Sequence, residues 1–263
     1  MRASERQSAI LDILSRQRRV SVQELTSLVQ ASEATVRRDL ERMERMGRLR
    51  RVFGGAEEVD PVGFEPPYLE RLNQCSEEKR AIARVAARLV PAGAIVALDT
   101  GSTTTQVAQE LRLRQSPFTV VTPSLIVGQL FADSGREDVV VILPGGLLRN
   151  KTYSLVGPTC EQTIRTYRCD LAVMACHALL PDQGAMNTNL LALGTKQAMV
   201  EISSKVIVVA DHTKFSANGL ATFAAPSQID VIVTDHYAPA PVLERFREQG
   251  IEVIVTSPSV LLQ

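Results

Sequence analysis

The stretch ASEATVRRDLERMERMGRLRRVFGGA, residues 31–56, carries seven arginines, four acids and no lysine. Arginine presents a planar fork of donors that matches phosphate oxygens and base edges, so a run this rich in it calls for a polyanion or for a set of internal acids. Ser32 stands as an N-cap before a helical pattern in which Val36, Leu40 and Met43 recur at i, i+4 and i+7. On a wheel of about 100° per residue those three share one face, while Thr35, Arg38, Arg42 and Arg45 lie on the opposite one. A helix offering Thr and Arg from its first turns suits a DNA major groove, where Arg reaches guanine and Thr meets a thymine methyl or a phosphate. After Gly47, RLRRVFGG joins strand formers to a glycine pair fit for a turn, and reads as a small basic wing. The competing reading is a solvated face on which Glu41 pairs with Arg45.

Two further short helices precede this one. Ser4 with Gln7 and Ser21 with Glu24 have capping-box spacing; Ile10, Ile13 and Leu14 form one apolar stripe, and Leu25, Leu28 and Val29 another. Helices this short are unstable alone, so the three stripes must close on a shared core. Only Gln30 and Ala31 separate the second and third, the tight connection of a helix-turn-helix.

The zero net charge hides an asymmetry. Residues 1–55 hold twelve arginines against seven acids, and the remainder holds seventeen bases against twenty-two acids. A basic head on an acidic body points to a polyanion partner for the head alone. No apolar run approaches membrane-span length, and the charged, amphipathic start has no secretory signal pattern, so the expected location is the cytoplasm. The four cysteines are far apart and the three histidines scattered, which predicts free thiols and no structural metal.

Residues 58–76, with three prolines and little periodicity, read as a linker between a head at 1–57 and a body at 77–263. In the body a helix at 79–89 precedes a strand at 94–98. Further strands at 118–121, 139–143, 171–174, 205–210, 230–234 and 252–255 then alternate with helices. Strands buried on both faces and joined by helices imply a largely parallel sheet in a three-layer α/β body, with ligands beyond the strands' carboxyl ends. Polar clusters follow those ends. Asp99-Thr100-Gly101-Ser102-Thr103-Thr104-Thr105 opens a helix whose free N–H groups and dipole could hold a phosphate. Thr122-Pro123-Ser124, Pro144-Gly145-Gly146 with Arg149 behind it, and Asp211-His212-Thr213-Lys214 complete the rim. Their coincidence favours a phosphorylated small molecule; without a Walker A loop or a G-x-G-x-x-G run, no nucleotide cofactor is expected.

Residues 32–56 resemble the winged helix-turn-helix signature of the DeoR family of bacterial transcriptional repressors, S-x-x-T-[IV]-R-R-D-L followed by a basic strand and G-G-A. Ser32, Thr35, Val36, Arg37, Arg38, Asp39, Leu40, Gly47, Arg51, Gly54, Gly55 and Ala56 match in order. The resemblance implies Thr35, Arg37 and Arg38 at the DNA surface and Asp39 orienting an arginine; Ser32, Thr35, Arg37, Arg38, Arg42 and Arg51 are the expected DNA-binding residues. It extends through Asp99-x-Gly101-Ser102-Thr103-Thr104, Thr122-x-Ser124, Gly145-Gly146-x-x-Arg149, Gly157-Pro158 and Asp211-x-Thr213-Lys214-Phe215 to the family's sensor domain, which is similar to ribose-5-phosphate isomerases and CoA transferases. By that likeness Ser102 and Thr103 would hold a sugar phosphate and Lys214 would meet the sugar. Asp99, Gly101, Ser102, Thr103, Thr104, Thr122, Ser124, Gly145, Gly146, Arg149, His177 and Lys214 are the expected effector-binding residues.

The departures weigh against catalysis. Ala175-Cys176-His177-Ala178 stands where the isomerases keep catalytic aspartates and many sensors have Gly-Ala-Asp-Gly; Pro123 replaces a common asparagine and Met186-Asn187 a common Thr-Thr. The expectation is a dimeric or tetrameric repressor of a carbohydrate operon, bound to double-stranded operator DNA and controlled by a phosphorylated sugar. The alternatives are an isomerase-like enzyme with a DNA-binding head, and a regulator answering to a protein partner or to oxidation at Cys176.

Overall fold

The computed structural model describes residues 3–45, 48–58 and 67–257. They fall into two compact units, Met1–Pro66 and Pro67–Gln263.

In the first unit α1 (Ala3–Gln17), β1 (Arg19–Ser21), α2 (Val22–Val29) and α3 (Glu33–Arg45) precede the hairpin strands β2 (Leu49–Val52) and β3 (Gly55–Glu58). The core is one cluster in which Ile10 and Leu14, Leu25 and Val29, and Val36, Leu40 and Met43 meet Val20, Leu49 and Ala56. Leu28, expected in the second stripe, is instead 55% exposed. Val22, Leu25 and Val29 centre that stripe on the far side of Leu25, which turns Leu28 about 100° away from it. Ser21 and Glu24 form the capping box, but α1 starts at Ala3, so Ser4 lies within the helix rather than at its cap. Gln7 donates instead to Asp39 Oδ1 at 2.9 Å, and Arg6 Nε to Asp39 Oδ2 at 2.6 Å, which ties α1 to α3 through a buried carboxylate.

β3 also pairs with β1, a strand too short to read from sequence, and this explains the glycine pair. Gly54 takes φ +78° in the hairpin turn with open space around it. A side chain on Gly55 would stand 2.2 Å from the Val20 carbonyl oxygen of β1. The first glycine therefore serves backbone conformation and the second a close strand approach.

The second unit opens with α4 (Tyr68–Asn73), inside the interval read as linker, and α5 (Ser76–Arg88). β4 (Ile95–Leu98), α6 (Ser102–Arg112), β5 (Phe118–Val121), α7 (Leu125–Ala132) and β6 (Val139–Ile142) follow. After an excursion through β7 (Leu147–Arg149), β8 (Ser154–Val156) and α8 (Pro158–Arg165) come β9 (Leu171–Ala175), β10 (Ala178–Leu180), β11 (Gly184–Asn187) and α9 (Leu190–Glu201). β12 (Val206–Val209), β13 (Ala221–Ala224), β14 (Val231–Asp235), α10 (Ala240–Glu248) and β15 (Glu252–Thr256) complete it. The expected parallel sheet is present: seven strands in the order β15-β14-β12-β9-β4-β5-β6. Alternate residues feed two cores. Val96 and Leu98 of β4, Val173 of β9 and Ile207 of β12 face α5, α6 and α7. Ala97, Ala172, Met174 and Val208 face α8, α9, α10 and the small β10-β11-β13 sheet. Strands buried on both faces require this double alternation, which is why they read as continuous apolar runs.

Gly55→Ala should cost about 1–3 kcal/mol because backbone meets backbone, whereas Gly54→Ala should cost only about 1 kcal/mol, the penalty of a left-handed alanine. Calorimetry of the two variants tests this, and a larger loss for Gly54→Ala would refute it.

Candidate functional site

Two surfaces carry chemistry, one in each unit. On α3, Ser32 caps the helix by accepting from Thr35 N at 3.3 Å, and its hydroxyl meets the Thr35 hydroxyl at 2.9 Å. Val36, Asp39, Leu40 and Met43 turn inward, leaving Arg37, Arg38 and Arg42 exposed. Arg37 is held by Glu33 at 2.9 Å from its Nε. Arg38 and Arg42 form no ion pair among the described residues. Arg51 of the wing leans back on α3: its backbone N–H donates to Glu44 at 2.9 Å and its guanidinium to Glu41 at 3.2 Å. Glu41 thus serves the wing; the Arg45 side chain and Gly47 lie outside the described residues. Arg50 pairs with Glu57 across the hairpin. At the wing's apex, Phe53 is fully exposed, a feature sequence reading passed over as a mere strand former.

In the second unit the strand order reverses between β4 and β9, and a crevice for ligands is expected beyond their carboxyl ends. Asp99 follows β4 and is buried. Its Oδ2 accepts from Ala175 N at 3.0 Å and from the Lys196 ammonium, which also donates to the Ala175 carbonyl at 2.8 Å. Lys196 sits 4.8 Å from the Phe223 ring centroid. Sequence reading placed Asp99 on the rim but missed Lys196. The available signal was a lysine standing alone in the helical stretch LLALGTKQAMV.

Gly101 opens α6 with φ +154°, and a Cβ there would lie 3.0 Å from Ala175 Cβ. The Thr104 and Thr105 hydroxyls both donate to the Gly101 carbonyl, at 3.1 and 2.8 Å. Ser102 and Thr103 are buried in the same first turn. Thr122 and Ser124 act locally: Thr122 Oγ1 accepts from Ser124 N at 3.2 Å, and Ser124 Oγ caps α7 by accepting from Val127 N. Gly145, Gly146 and Arg149 belong to the excursion after β6, which joins the β5 rim through the Ser124–Ser154 bridge.

Asp211 is buried after β12 and accepts from Thr213 N at 3.1 Å. Burial pushes its pKa up, but Lys214, Thr213 and Lys79 outweigh it and hold the carboxyl below the usual range. Cys176, at the end of β9, feels both acid–base sets, Lys214 and Lys196 on one side of the ledger and Asp211 and Asp99 on the other; burial pushes its thiol up to about 12. A thiol so firmly protonated is a poor nucleophile, which counts against the oxidation reading. His177 is half-buried and donates its backbone N–H to Met186 O at 2.9 Å.

All four cysteines are free thiols. Cys75, distant in sequence from the adjacent Asp211 and His212, brings its sulfur within 4.8 Å of their ligand atoms. That trio could coordinate a cation, yet Lys79 and Lys214 already face its carboxylate and His212 Nδ1 is engaged by Asp235 at 3.0 Å. Positive surroundings make the rim better suited to an anion.

Removing one partner of a buried ion pair strands the other charge, so Asp99→Ala should cost about 3–5 kcal/mol. Adding Lys196→Met should return much of that loss. Urea denaturation of both variants measures it, and additive losses would show that the two side chains act separately.

The DeoR-like helix-turn-helix domain model matches residues 6–62, and the DeoR C terminal sensor domain model matches residues 74–236. The chain is 34% identical to the HTH-type transcriptional regulator GlpR of Haloferax volcanii, over 97% of this chain and 98% of that one. It is 36% identical to the transcriptional repressor AccR of Agrobacterium fabrum (88% and 89% covered). The glycerol-3-phosphate regulon repressor of Escherichia coli is 29% identical (96% and 99%). Among solved structures, ribose 5-phosphate isomerase A of Methanocaldococcus jannaschii aligns with TM-score 0.39 and 15% identity over 52% of this chain and 53% of that one. eIF2B beta of Chaetomium thermophilum aligns with TM-score 0.43 and 15% identity over 80% and 59%. With both of its parts matched in order, the chain belongs to the DeoR family of transcriptional regulators.

Proposed function

We propose that this chain is a cytoplasmic repressor of a carbohydrate-metabolism operon, and that a phosphorylated sugar or related metabolite bound at the sheet's carboxyl rim controls its grip on operator DNA. One observation carries the reading: a single chain holds both an exposed arginine face on α3, with Thr35 half-buried beside it, and a separate anion-suited rim. Thr35, Arg38 and Arg42 would enter the major groove, Ser32 and Arg37 would flank it, and the Arg51 wing, with Phe53 at its apex, would follow the duplex. The N–H groups of the first turn of α6, with Ser102 and Thr103, would hold the phosphate. Lys214, Asp99 and His177 would meet the remainder of the effector, with Lys196 bracing Asp99.

The names of the relatives support a phosphorylated polyol or sugar without selecting one. No helix among the described residues is long and apolar enough to cross a membrane, which agrees with a cytoplasmic repressor. A homodimer or homotetramer would place two heads on repeated half-sites. Leu147 and Leu148 on β7 and Leu190 and Leu191 on α9, each about half or more exposed, offer apolar surface for a second copy. An isomerase would need a free base beside the sugar carbonyl. Here Asp99 is committed to Lys196 and Asp211 to Thr213, which favours binding over turnover.

On a duplex selected from a random pool by the wild-type protein, Arg38→Ala should lose about 1–3 kcal/mol, roughly five- to 150-fold in affinity. Arg37→Ala should lose less, its guanidinium being shared with Glu33. Lys214→Ala should bind the duplex normally but need more ligand for any effect that a panel of sugar, polyol and sugar-acid phosphates produces. Gel shifts at fixed salt decide: wild-type affinity for Arg38→Ala would overturn the groove assignment.

A further inference from the structure

The loop of the wing has only two residues, Phe53 and Gly54, because Val52 of β2 already pairs with Gly55 of β3. Gly54 takes the left-handed conformation at the second position. Two-residue hairpin loops favour Asn, Asp or Gly at the first, where a short polar side chain or none suits the turn. Phenylalanine serves neither the turn nor the core: its ring is fully exposed, with no packing partner among the described residues. An aromatic ring left in water forgoes the burial through which it stabilises a fold, so a partner outside the unit is the better reason for it.

The turn that carries the ring is fixed. The Gly54 carbonyl accepts from Val22 N, at the start of α2, at 2.9 Å. Gly55 lies so close to β1 that a Cβ there would meet the Val20 carbonyl. Arg51 ties the same hairpin to α3 through Glu44 and Glu41. The apex is therefore anchored to the helix that bears Arg38 and Arg42, and the ring is presented without the ordering cost of a loose loop. The wing's own arginines are meanwhile engaged, Arg50 with Glu57 and Arg51 with α3. What the apex offers a duplex is an apolar ring rather than charge.

We propose that Phe53 is a wedge: its ring enters the minor groove beside the major groove that α3 occupies, slides between two stacked base pairs and bends the duplex there. Minor-groove proteins insert apolar side chains in this way and kink DNA by about 20–90°. Unstacking is offset by contact between ring and bases and by the extra surface that the bend brings together. Pyrimidine–purine steps unstack most easily, so Phe53 selects such a step without a hydrogen bond to any base. The inference rests on the reading of α3 as the groove-binding helix.

The full-length chain and its selected duplex test this. The duplex carries 2-aminopurine, which brightens when unstacked, at each adenine in turn, and a dye pair at its ends reports bending by energy transfer. With the wild type, fluorescence should rise several-fold at one step per half-site and the bend should reach at least about 20°. Phe53→Leu, still an apolar wedge, should keep both signals. Phe53→Ala should lose both and bind about tenfold more weakly, with the wild-type salt slope, since no phosphate contact is removed. Neither substitution should shift the melting temperature, because nothing packs on the ring. A wild-type complex with every base stacked and the duplex straight would overturn the wedge and leave the groove assignment standing. Both signals surviving in Phe53→Ala would overturn it too, as would a change in that variant's oligomeric state on ultracentrifugation, which would give the ring to a second copy. Failure of the wild type to enrich any duplex would remove the groove assignment on which the wedge rests.

Discussion

The carboxylate of Asp99 fixes the centre of the sensor unit. It stands where the strand order reverses and accepts from Ala175 N of β9 and from the ammonium of Lys196 on α9. Three elements thus meet at one buried charge. A pair of this kind adds little net stability over an apolar substitute, but breaking it is expensive, so it specifies geometry more than it contributes energy. With β4 and β9 held in register, the Gly101 turn sits within a Cβ's reach of Ala175 and the first turn of α6 faces the crevice. Lys196 matches Asp99, and Lys214 and Lys79 hold down the charge of Asp211, so these carboxylates do not leave the rim anionic.

The head divides its arginines by a different rule. Arg6, Arg50 and Arg51 are consumed internally: one locks Asp39 to α1, one spans the hairpin, and one draws the wing onto α3. Arg38 and Arg42 are exposed and form no ion pair among the described residues. A surface pair such as Arg37 with Glu33 is worth little in water and exchanges readily for a phosphate. Counting arginines therefore overstates the cationic face, and the helical phase identifies the ones that matter. Burial of Asp39 between α1 and α3 makes the single acid of R-R-D-L a structural group, while its two arginines stay outside.

The strands of the main sheet were legible because burial on both faces leaves an unbroken apolar run between polar turns. The helices other than α4 were legible because each lays one stripe on a core. β1, β7, β8, β10, β11 and β13 were not: three or four residues give a period of two nothing to repeat over, and β1 and β13 are defined by a partner distant in sequence. The rim residues Asp99, Gly101, Ser102 and Lys214 announce themselves by following strand ends. Lys196 and Lys79 do not, because a helix pattern is scored on where its apolar residues fall, and a lysine at an inward position looks like noise until its acceptors are known. The Cys75–Asp211–His212 approach was likewise invisible, since no spacing rule spans that separation.

Any control of DNA binding from this rim is bounded by differential affinity. A ligand that binds the releasing and gripping forms equally shifts nothing, however tightly it binds. The site must therefore contain groups whose fit depends on the form adopted, and the rigid part of the rim is a poor candidate. Asp99, Lys196 and Ala175 are locked among themselves by short bonds and would look the same to a ligand in either form. Contacts beyond that centre include Thr105 to Gly101 in the first turn of α6 and Lys79 to the carbonyls of Arg71 and Gln74. Typical coupling energies of about 1–3 kcal/mol need only one or two such contacts to differ between forms.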